Sequence, residues 1–388
     1  MKYDECPACE SGTLTIFYEI DAVPVNSVLL LESRDLALRF PTADIRLARC
    51  ERCGFVFNAC FDSEMTEYSG RYESTQAFSA TFAEFNRELA VDLIERHEIK
   101  HKTVVEIGCG DGDFVRLLCE IGNNRGFAYD PAFEPARHAQ SDAVTFFSEF
   151  FDEGSSIHDA DLVVCKMTLE HIIDVREFVE TVRGTLSESS KAVIFFQVPN
   201  AEYVFNELAF WDVYYEHCSY FTADSLAALF TSSGFEVTKT WTGYDDQYLM
   251  LEARVSPGVK SCTGIKSNRT SGLQTSRFAQ EVGGQMTGWR TRLGQYHRDG
   301  LNVAVWGAGS KAVAFLAAVG DAPAIRTMVD INPNKAGTFL PGSGYEIMLP
   351  DRLRESPPDV VVAMNPVYLP EIRGDLDYLG LTPELTSL

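Results

Sequence analysis

A short apolar run that ends in closely spaced glycines constrains this chain more than any other segment. Residues 104–109 (VVEIGC) have the apolar, β-branched composition of a buried strand, and Gly108, Gly110 and Gly112 close the run. Residues 113–121 (DFVRLLCEI) then change to helical spacing. Glycines let a backbone approach a ligand without a Cβ clash, and the helix N-terminus offers the positive end of its dipole. The segment therefore predicts a strand, a tight turn and a helix that together bind a cofactor.

Acidic side chains surround this turn. Glu106 lies just before it and Asp130 ends the next apolar run (GFAYD), so both are placed to accept hydrogen bonds from ribose hydroxyls. Glycine spacing alone also fits the pyrophosphate of a dinucleotide, but Glu106, Asp111 and Asp113 put three carboxylates around the loop. Negative charge suits a cationic sulfonium cofactor better than a diphosphate.

Strand and helix patterns continue to alternate after this loop. The strand patterns lie at 162–166, 192–198, 235–241 and 247–255, and the helical patterns lie near 174–186 and 222–233. The last two strands lack an intervening helix, which predicts an antiparallel edge on a parallel sheet. Together with VVEIGCGDGDF and Asp130, this order resembles the class I methyltransferases. The resemblance implies a doubly wound α/β sheet that binds S-adenosylmethionine.

Two CxxC pairs indicate a metal site in the first part of the chain. Cys6 and Cys9 form one pair and Cys50 and Cys53 the other, with Gly54 placed as a knuckle turn requires. Ten cysteines without a secretion signal favour reduced thiols, and four thiolates close a tetrahedral zinc sphere. We therefore expect a structural zinc that stabilises a domain without a large core. A redox role is disfavoured because no βαβ pattern surrounds either pair.

The charge of the chain limits its partners. A net charge of −23 disfavours a nucleic-acid binder, because phosphate neutralisation needs clustered Lys and Arg. No stretch approaches the length of a membrane span, and the first residues carry no secretion or transit pattern. We therefore expect a cytoplasmic protein, monomeric or homodimeric, that acts on a small molecule and contacts neither nucleic acid nor membrane.

At 388 residues the chain is long enough for two or three domains. We predict a zinc-binding domain, a central methyltransferase domain, a linker with a connecting helix, and a C-terminal Rossmann-like α/β domain that binds substrate. Their expected bounds are 1–75, 76–256, 257–298 and 299–388. The stretch from Val255 to Ser276 is rich in Ser, Thr, Gly and Lys without a hydrophobic period, which predicts a mobile surface linker before a helix to Arg298.

A second glycine-rich turn opens the C-terminal domain. Residues 301–307 (LNVAVWG) predict a strand, and the turn GAGSKA that ends it lacks the third glycine of the dinucleotide fingerprint. Asp330 ends the next strand, where an acidic ribose ligand is expected. The turn fits either a nicotinamide cofactor or a substrate's nucleotide diphosphate, held by Ser310, Lys311 and backbone amides. We favour the diphosphate, because a hydride-transfer enzyme leaves the first glycine loop unexplained.

An ordered set of motifs runs along nearly the whole chain. Besides the cysteine pairs, the segment WDVYYEHCSYFT (211–222) contains a Tyr-x-Glu-His motif. Further segments are PVNS (24–27), CERCGFVFN (50–58), Tyr68 with Tyr72 and Ser74, VPN (198–200), VWGAGSK (305–311), DINPNKAGTFLPGSGYEI (330–347) and PDVVVAMNP (358–366). This set resembles the three-domain, zinc-binding C-methyltransferases that act on deoxy-keto-sugar nucleotides in bacterial pathways. The chain departs from that family at Tyr215, where His is common, and its phosphate contacts match only in part.

The resemblance implies carbon methylation beside a ketone. In this family the residue matching His217 is the general base, which removes a proton so that the enolate attacks the methyl group of S-adenosylmethionine. Imidazole suits this step because its pKa lies near neutrality. Tyr214 and Glu216 are expected to fix the ring and to hydrogen-bond the developing enolate. His171, in KMTLEHI, is a second candidate base, or else a helix-start histidine at the cofactor rim.

The remaining site assignments follow from the fold and from the matching motifs. The expected cofactor-binding residues are Glu106, Gly108, Cys109, Gly110, Asp130, Pro131, Phe150 and Lys166. The expected substrate-binding residues are Tyr72, Asn200, Ser310, Lys311 and Asn365. Phe150 is placed to cover the adenine, although its aromatic cluster fits a core equally well. Asn365 fits a turn equally well.

Three other functions are compatible with parts of this pattern. One keeps the same methyl donor but methylates oxygen, nitrogen or a non-sugar keto compound, which Tyr215 and the incomplete phosphate site favour. Another is an NAD(P)-dependent oxidoreductase that uses the loop at Gly307. The last is a non-catalytic assembly module, for which loss of His217 would change no activity.

Overall fold

The computed structural model describes residues 2–135, 142–155, 159–256 and 269–388, with the side chains of the last range described from residue 272. Three β-sheets organise this part of the chain. Among the described residues, no helix has both the length and the apolar character needed to cross a membrane.

The first sheet is antiparallel and has the order β1-β2-β3-β9. Its strands are β1 (Leu14–Pro24), β2 (Thr42–Cys50), β3 (Val56–Asn58) and β9 (Ser219–Tyr220), and helix α1 (Arg34–Leu38) lies between β1 and β2. Strand β9 follows directly after the Tyr-x-Glu-His motif and pairs with β3. The expected domain bound at residue 75 therefore cuts this sheet off from the strand that completes it.

The central sheet has the order β10-β11-β8-β7-β4-β5-β6. Its strands are β4 (Thr103–Ile107), β5 (Arg125–Tyr129), β6 (Val144–Phe147), β7 (Leu162–Lys166), β8 (Val193–Pro199), β10 (Phe235–Gly243) and β11 (Tyr248–Val255). Its helices are α2 (Ala80–His97), α3 (Asp113–Gly122), α4 (Val175–Gly184), α5 (Ala201–Asn206) and α6 (Ala223–Ser232). Strands β4 to β8 are parallel, and β11 pairs antiparallel with both β8 and β10. The predicted class I sheet with its antiparallel edge is confirmed.

Helices cover both faces of the central sheet. On one face, Leu93 of α2 and Leu118 of α3 pack against Val104 and Phe195 in one buried cluster. Helices α4 and α6 contact each other and contribute buried residues to the larger cluster on the other face. The strand order reverses between β4 and β7, and a crevice at the carboxyl ends of such a pair is where open α/β sheets bind ligands.

A long helix, α7 (Arg269–Arg298), leads to the C-terminal part of the chain. The expectation of a linker as far as Ser276 is wrong over its last eight residues, and residues 257–268 lie outside the described chain. Phe278 of α7 is fully buried and packs edge-to-face on Phe17 and Phe205. Burial against these distant rings outweighs the polar local composition on which the linker prediction rested.

The third sheet is parallel and has the order β14-β13-β12-β15-β16. Its strands are β12 (Val303–Trp306), β13 (Ile325–Val329), β14 (Ile347–Met348), β15 (Val360–Ala363) and β16 (Glu384–Ser387), with helices α8 (Ser310–Val319) and α9 (Leu369–Leu379). The order reverses between β12 and β15, so this sheet has a switch point at its own glycine-rich turn.

Candidate active site

A cavity of about 750 Å³ is lined by residues of the second and third sheets and of the loops that follow β1 and β3 of the first. Its lining includes the glycine turns after β4 and β12, the segment from Tyr68 to Ser79, and the residues Tyr214 and His217. The volume lies in the range of ligand-binding cavities, and the two sheet switch points open onto it. The cavity is therefore the candidate active site.

The glycine turn after β4 has the conformation that its sequence predicts. Gly108, Gly110 and Gly112 have φ angles of +70°, +53° and +79°, a region that residues with side chains rarely adopt. A Cβ atom at position 108 would lie 2.1 Å from the Oγ1 atom of Thr168. Position 108 therefore requires glycine for two reasons, backbone conformation and space.

The two predicted ribose ligands both brace this turn. Asp130 accepts hydrogen bonds from the Gly110 and Ala132 N–H groups, each at 2.8 Å, and Glu106 accepts one at 2.9 Å from the Val115 N–H group. Burial raises the pKa of Asp130 above its ordinary value. Both carboxylates line the cavity, so each fixes the loop and retains lone pairs that face a ligand.

Lys166 lies at the carboxyl end of β7, beneath the cofactor turn. Its Nζ atom donates to Asn86 Oδ1 at 2.6 Å and lies 3.6 Å from the centre of the Phe114 ring. Burial lowers the pKa of Lys166 and raises that of Glu106, because desolvation penalises both charges, while their mutual attraction opposes the two shifts. The two groups form a coupled pair at the base of the cavity.

Aromatic side chains border the other end of the cofactor turn. Tyr129 stacks on Phe147 with 4.6 Å between ring centres, and Phe151 packs edge-on against Tyr129. Phe150 also lines the cavity but is 71% exposed, so it lies at the mouth and does not belong to a core. Pro131 completes this wall. Cys109 is buried within the turn, with its thiol directed to the Gly110 carbonyl.

The Tyr-x-Glu-His motif forms a tight turn in which the first and last residues meet. The His217 N–H donates to the Tyr214 carbonyl at 3.2 Å, which is the hydrogen bond of a β-turn. The turn places the Tyr214 hydroxyl 2.8 Å from His217 Nε2, and both side chains line the cavity. Burial, with the nearby His171 ring and the Lys311 ammonium, lowers the pKa of His217 well below its usual value. The imidazole is therefore neutral at physiological pH, as a proton acceptor must be.

His171 lies beside His217 with 4.9 Å between the ring centres. Its Nδ1 atom is 3.0 Å from the Tyr68 hydroxyl, and its ring also hydrogen-bonds the backbone of Glu216. Burial lowers the pKa of His171 to about 4. The structure thus brings both candidate bases into one cavity, but the hydrogen bonds of His171 hold it as part of the wall.

Glu216 does not support the His217 ring as its place in the motif suggests. It occupies the third position of the turn, so its side chain diverges from those of Tyr214 and His217. Its carboxylate accepts from Asn26 Nδ2 at 3.1 Å, from the Ser27 N–H at 2.8 Å and from the Ser27 hydroxyl. The predicted role of Glu216 is therefore corrected: it fastens the loop after β1 to the turn.

Ser310 and Lys311 lie at the start of α8 and reach toward the other two sheets. The Lys311 Nζ atom forms a 2.6 Å ion pair with Asp212 and donates to Gln247 Oε1 at 3.3 Å. The Ser310 hydroxyl lies 2.7 Å from that of Ser27. Both predicted substrate residues line the cavity, and both already bridge the C-terminal sheet to the rest of the chain.

The other three predicted substrate residues have different surroundings. Tyr72 lines the cavity beside Tyr68. Asn365 lines it too, but its amide forms two hydrogen bonds with the Gln247 amide, at 2.8 and 3.0 Å. Asn200 does not line this cavity, because its side chain caps α5 and donates to the Asp246 carbonyl. The assignment of Asn200 is therefore corrected, since helix capping occupies its amide.

Asp330, the acidic residue of the second glycine turn, is already paired. Its Oδ2 atom accepts from the Ala308 N–H at 2.9 Å and from Lys335 Nζ at 3.1 Å, and Oδ1 accepts from the Asn332 N–H. Lys335 is buried and also donates to the Ala308 carbonyl. Asp330 thus accepts from three donors, against two for Asp130 and one for Glu106, so it has the least capacity left for a ribose, which weakens the case for a nicotinamide cofactor.

The four cysteines of the CxxC pairs come together. The Sγ atoms of Cys6 and Cys53 lie 3.7 Å apart, those of Cys9 and Cys50 lie 3.5 Å apart, and all four lie within 4.8 Å of one another. All four residues are buried. Four thiols at these separations match the donor set of a closed tetrahedral zinc site.

Three of the cavity residues that the sequence does not single out contact the predicted site residues. Glu170 is fully buried in the turn Leu169–His171, and Asp212 and Gln247 contact Lys311. Glu170 adjoins His171, which is the one signal that could have found it. The other two residues meet Lys311 only through the fold.

The comparisons with known proteins agree with this geometry. Residues 82–240 match the family described as a methyltransferase domain, and residues 255–380 match the family described as a C-methyltransferase C-terminal domain. The C-methyltransferase NovU of Streptomyces niveus is 26% identical over 95% of this chain and 91% of its own length. The chain belongs to the S-adenosylmethionine-dependent C-methyltransferases. The predicted family, the enzyme class and the cofactor S-adenosylmethionine are therefore confirmed for this C-methyltransferase.

Solved methyltransferase structures match part of the enzyme. Magnesium protoporphyrin IX methyltransferase from Synechocystis PCC 6803 is 14% identical, with a TM-score of 0.36 over 48% of this chain and 90% of that one. The 1,6-didemethyltoxoflavin-N1-methyltransferase of Burkholderia thailandensis is 18% identical, with a TM-score of 0.36 over 44% of this chain and 78% of that one. Membership of the family rests on the sequence matches and on the sheet order.

Gly108→Ala tests the cofactor turn. A side chain at a left-handed position costs about 1–2 kcal/mol, and the added Cβ also collides with Thr168, so we expect the Kd for S-adenosylmethionine to rise at least about tenfold. Calorimetric titration measures this change. Gly184→Ala is the control, since no atom lies within 4 Å of its added Cβ. An unchanged Kd for Gly108→Ala would show that this turn does not hold the cofactor.

Proposed function

We propose that the enzyme methylates a carbon beside a ketone in a nucleotide-activated keto-deoxysugar, with His217 as the general base. The supporting observation is the turn that places His217 Nε2 2.8 Å from the Tyr214 hydroxyl, in the same cavity as the cofactor turn. Proton removal from such a carbon puts negative charge on the ketone oxygen, so it needs a base and a hydrogen-bond donor together.

In this proposal, His217 removes the proton and the C–H electron pair moves into an enolate. A tyrosine hydroxyl, that of Tyr214 or of Tyr68, stabilises the enolate oxygen by a hydrogen bond. S-adenosylmethionine supplies an electrophilic methyl group when it is bound. His217 is only 6% exposed, so the wall that surrounds it limits protonation of the enolate by water. His171 is the alternative base, and its two hydrogen bonds argue for a positional role.

We assign the cofactor to the turn after β4. Asp130 and Glu106 present carboxylate oxygens that suit ribose hydroxyls and a cationic sulfonium, and Gly108 to Gly110 allow close approach of the backbone. Cys109, Pro131, Phe150 and Lys166 line the same part of the cavity. These residues fit S-adenosylmethionine in charge and in space.

We assign the substrate to the opposite end of the cavity. Tyr72, Ser310, Lys311 and Asn365 line the cavity, and Ser310 and Lys311 directly follow the second glycine turn. Lys311 approaches both Asp212 and the region of His217, so a phosphate that draws it away from Asp212 would change the charge around the base. This arrangement supports a substrate that extends from the C-terminal sheet to the base.

A second candidate is a keto compound without a diphosphate. Among the described residues, ten Asp and Glu line the cavity, against the three lysines Lys166, Lys311 and Lys335. Each lysine already has a polar partner, namely Asn86, Asp212 and Asp330 respectively. A diphosphate needs positive charge, so this lining favours a less anionic keto substrate.

A transfer assay tests the proposed reaction. The enzyme is incubated with methyl-labelled S-adenosylmethionine and a panel of keto-sugar nucleotides, the same sugars without nucleotide, and simple keto acids. We expect the label on a carbon beside the ketone of a nucleotide sugar, as located by NMR and mass spectrometry. Label on a carbon of a compound without nucleotide supports the second candidate, and label on oxygen or nitrogen contradicts both.

His217→Ala tests the base. We expect the rate of methyl transfer to fall by at least about 10²-fold with the Kd for S-adenosylmethionine unchanged, because general-base catalysis is lost. Exchange of the substrate's α-proton in D₂O should fall with it. The control His101→Ala changes a histidine on the loop before β4, outside the cavity lining, and should retain full activity. If exchange of the α-proton is normal in His217→Ala and lost in His171→Ala, the general base is His171.

We propose that Cys6, Cys9, Cys50 and Cys53 hold a structural zinc ion. Cys50 ends β2 and Cys53 follows in the next turn, so the metal would tie the end of the first sheet to residues 6–9. All four donor positions are filled by thiolates, which leaves no site for catalysis. The loop that follows β1 of this sheet carries Asn26 and Ser27, which hold the active-site turn through Glu216.

Cys50→Ser tests this metal site. We expect elemental analysis to find one zinc per chain in the purified enzyme and a loss of that zinc in the variant. The thermal midpoint should fall as well, because metal binding contributes to folding of the module. Cys60→Ser is the matched control, since Cys60 lies just after β3 of the same sheet but outside the cysteine cluster. Full zinc content in Cys50→Ser would refute the proposed ligand set.

A further inference from the structure

Glu170 is a buried acid that the proposed reaction does not yet use. It lies in the single turn after β7, its exposed fraction is 0%, and it lines the cavity. Neither carboxyl oxygen has a hydrogen-bond partner among the residues that the structure describes. Native proteins seldom keep a buried polar group unsatisfied, because such a group costs stability. An acid in this position inside an active site therefore calls for a functional reason.

The carboxyl of Glu170 is directed at the proposed base. Its Oε1 atom lies 4.0 Å from His217 Nε2, which is also the nitrogen that contacts the Tyr214 hydroxyl. The other titratable groups that face Glu170 are His171, Tyr68, Cys165, Tyr214, Cys218 and Tyr248. Burial keeps all of these groups in their neutral forms. Among the neighbours of Glu170, His217 is therefore the group that takes up positive charge during the reaction.

A metal ion does not account for this cluster. Glu170, His171 and His217 each offer a ligand atom within 4.8 Å of the others. The Nδ1 atom of His171, however, lies 3.0 Å from the Tyr68 hydroxyl, and the ring also contacts the Glu216 backbone, so His171 already has polar partners. With His171 occupied, two ligands remain, which is fewer than protein metal sites use.

We propose that Glu170 is the charge partner of His217, a positioning residue that stabilises the imidazolium formed when His217 removes the substrate proton. This inference rests on the proposed function. The proton passes from the substrate carbon to His217, its electron pair stays on the enolate, and the new positive charge faces the Glu170 carboxylate. The carboxylate contributes most when the imidazolium exists, so it favours the transition state over the free enzyme.

The protonation state of Glu170 determines whether the reaction rate rises or falls with pH. Burial raises the pKa of this carboxyl to about 8, so the group is neutral below that pH and ionised above it. Only the ionised form stabilises an imidazolium, so the rate should rise with pH through this value. Glu106 and Lys166 titrate in the same cavity, and the diagnostic quantity is therefore the difference between wild type and Glu170→Gln.

The first test needs no substrate. The ring nitrogens of His217 are followed by ¹⁵N NMR between pH 6 and 10, and the His217→Ala variant identifies their signals. We expect a step with a midpoint near pH 8 in the wild type and no such step in Glu170→Gln. Asp375→Asn, which changes another carboxyl of the cavity lining, should leave the step in place. Identical titrations in wild type and Glu170→Gln would overturn the proposal.

The second test uses whichever keto substrate the transfer assay identifies. We expect Glu170→Gln to lower kcat at least about tenfold, with KM within about twofold, and to remove the rise in rate with pH. Glu170→Asp should restore part of kcat and part of the rise in rate with pH. It also replaces Glu170→Gln in this test if Glu170→Gln fails to fold. A rise in KM alone would make Glu170 a substrate ligand and refute the proposal. If the wild type methylates nothing, the proposed function fails, while the NMR titration still decides the pairing.

Discussion

The carboxylate of Glu216 holds together the parts of this molecule that the active site needs. It lies in the middle of the turn that presents Tyr214 and His217, and it accepts three hydrogen bonds from Asn26 and Ser27 in the loop after β1. The Ser27 hydroxyl in turn contacts Ser310 at the start of α8. One buried acid thus fixes the position of the proposed base relative to two other sheets. If this carboxylate were lost, the turn would keep its local hydrogen bond and the β3–β9 pairing beside it, but it would lose its hydrogen bonds to Asn26 and Ser27.

The sequence was most informative where local chemistry decides the structure. A positive φ in a crowded turn can be met only by glycine, so the turn at Gly108 is visible without knowledge of the fold. The four thiols of the CxxC pairs have the spacing of metal knuckles, and they do converge. The absence of a helical pattern between β10 and β11 determined the antiparallel edge, because a two-strand hairpin cannot make a parallel connection.

The sequence was least informative where distant residues decide the outcome. Helix α7 begins before Ser276 although its first residues are polar, since Phe278 finds its partners more than seventy positions away in Phe205 and farther still in Phe17. The motif Tyr-x-Glu-His places Glu216 beside His217 in the chain, but a turn separates neighbours and joins residues three apart. Glu170 went unnoticed because its lack of a partner is a property of the folded interior.

Burial creates a conflict in this active site that the neighbouring acids resolve. A base must be neutral before it acts, and desolvation ensures this by lowering the pKa of His217. The same desolvation makes His217 a weak base, because the imidazolium that it becomes is poorly solvated. A carboxylate within a few ångströms offsets that penalty only once the proton has moved, so it strengthens the base without charging it in advance. The acidic lining of the cavity is consistent with this requirement: positive charge arises at His217 during the reaction, and the cofactor itself carries a sulfonium.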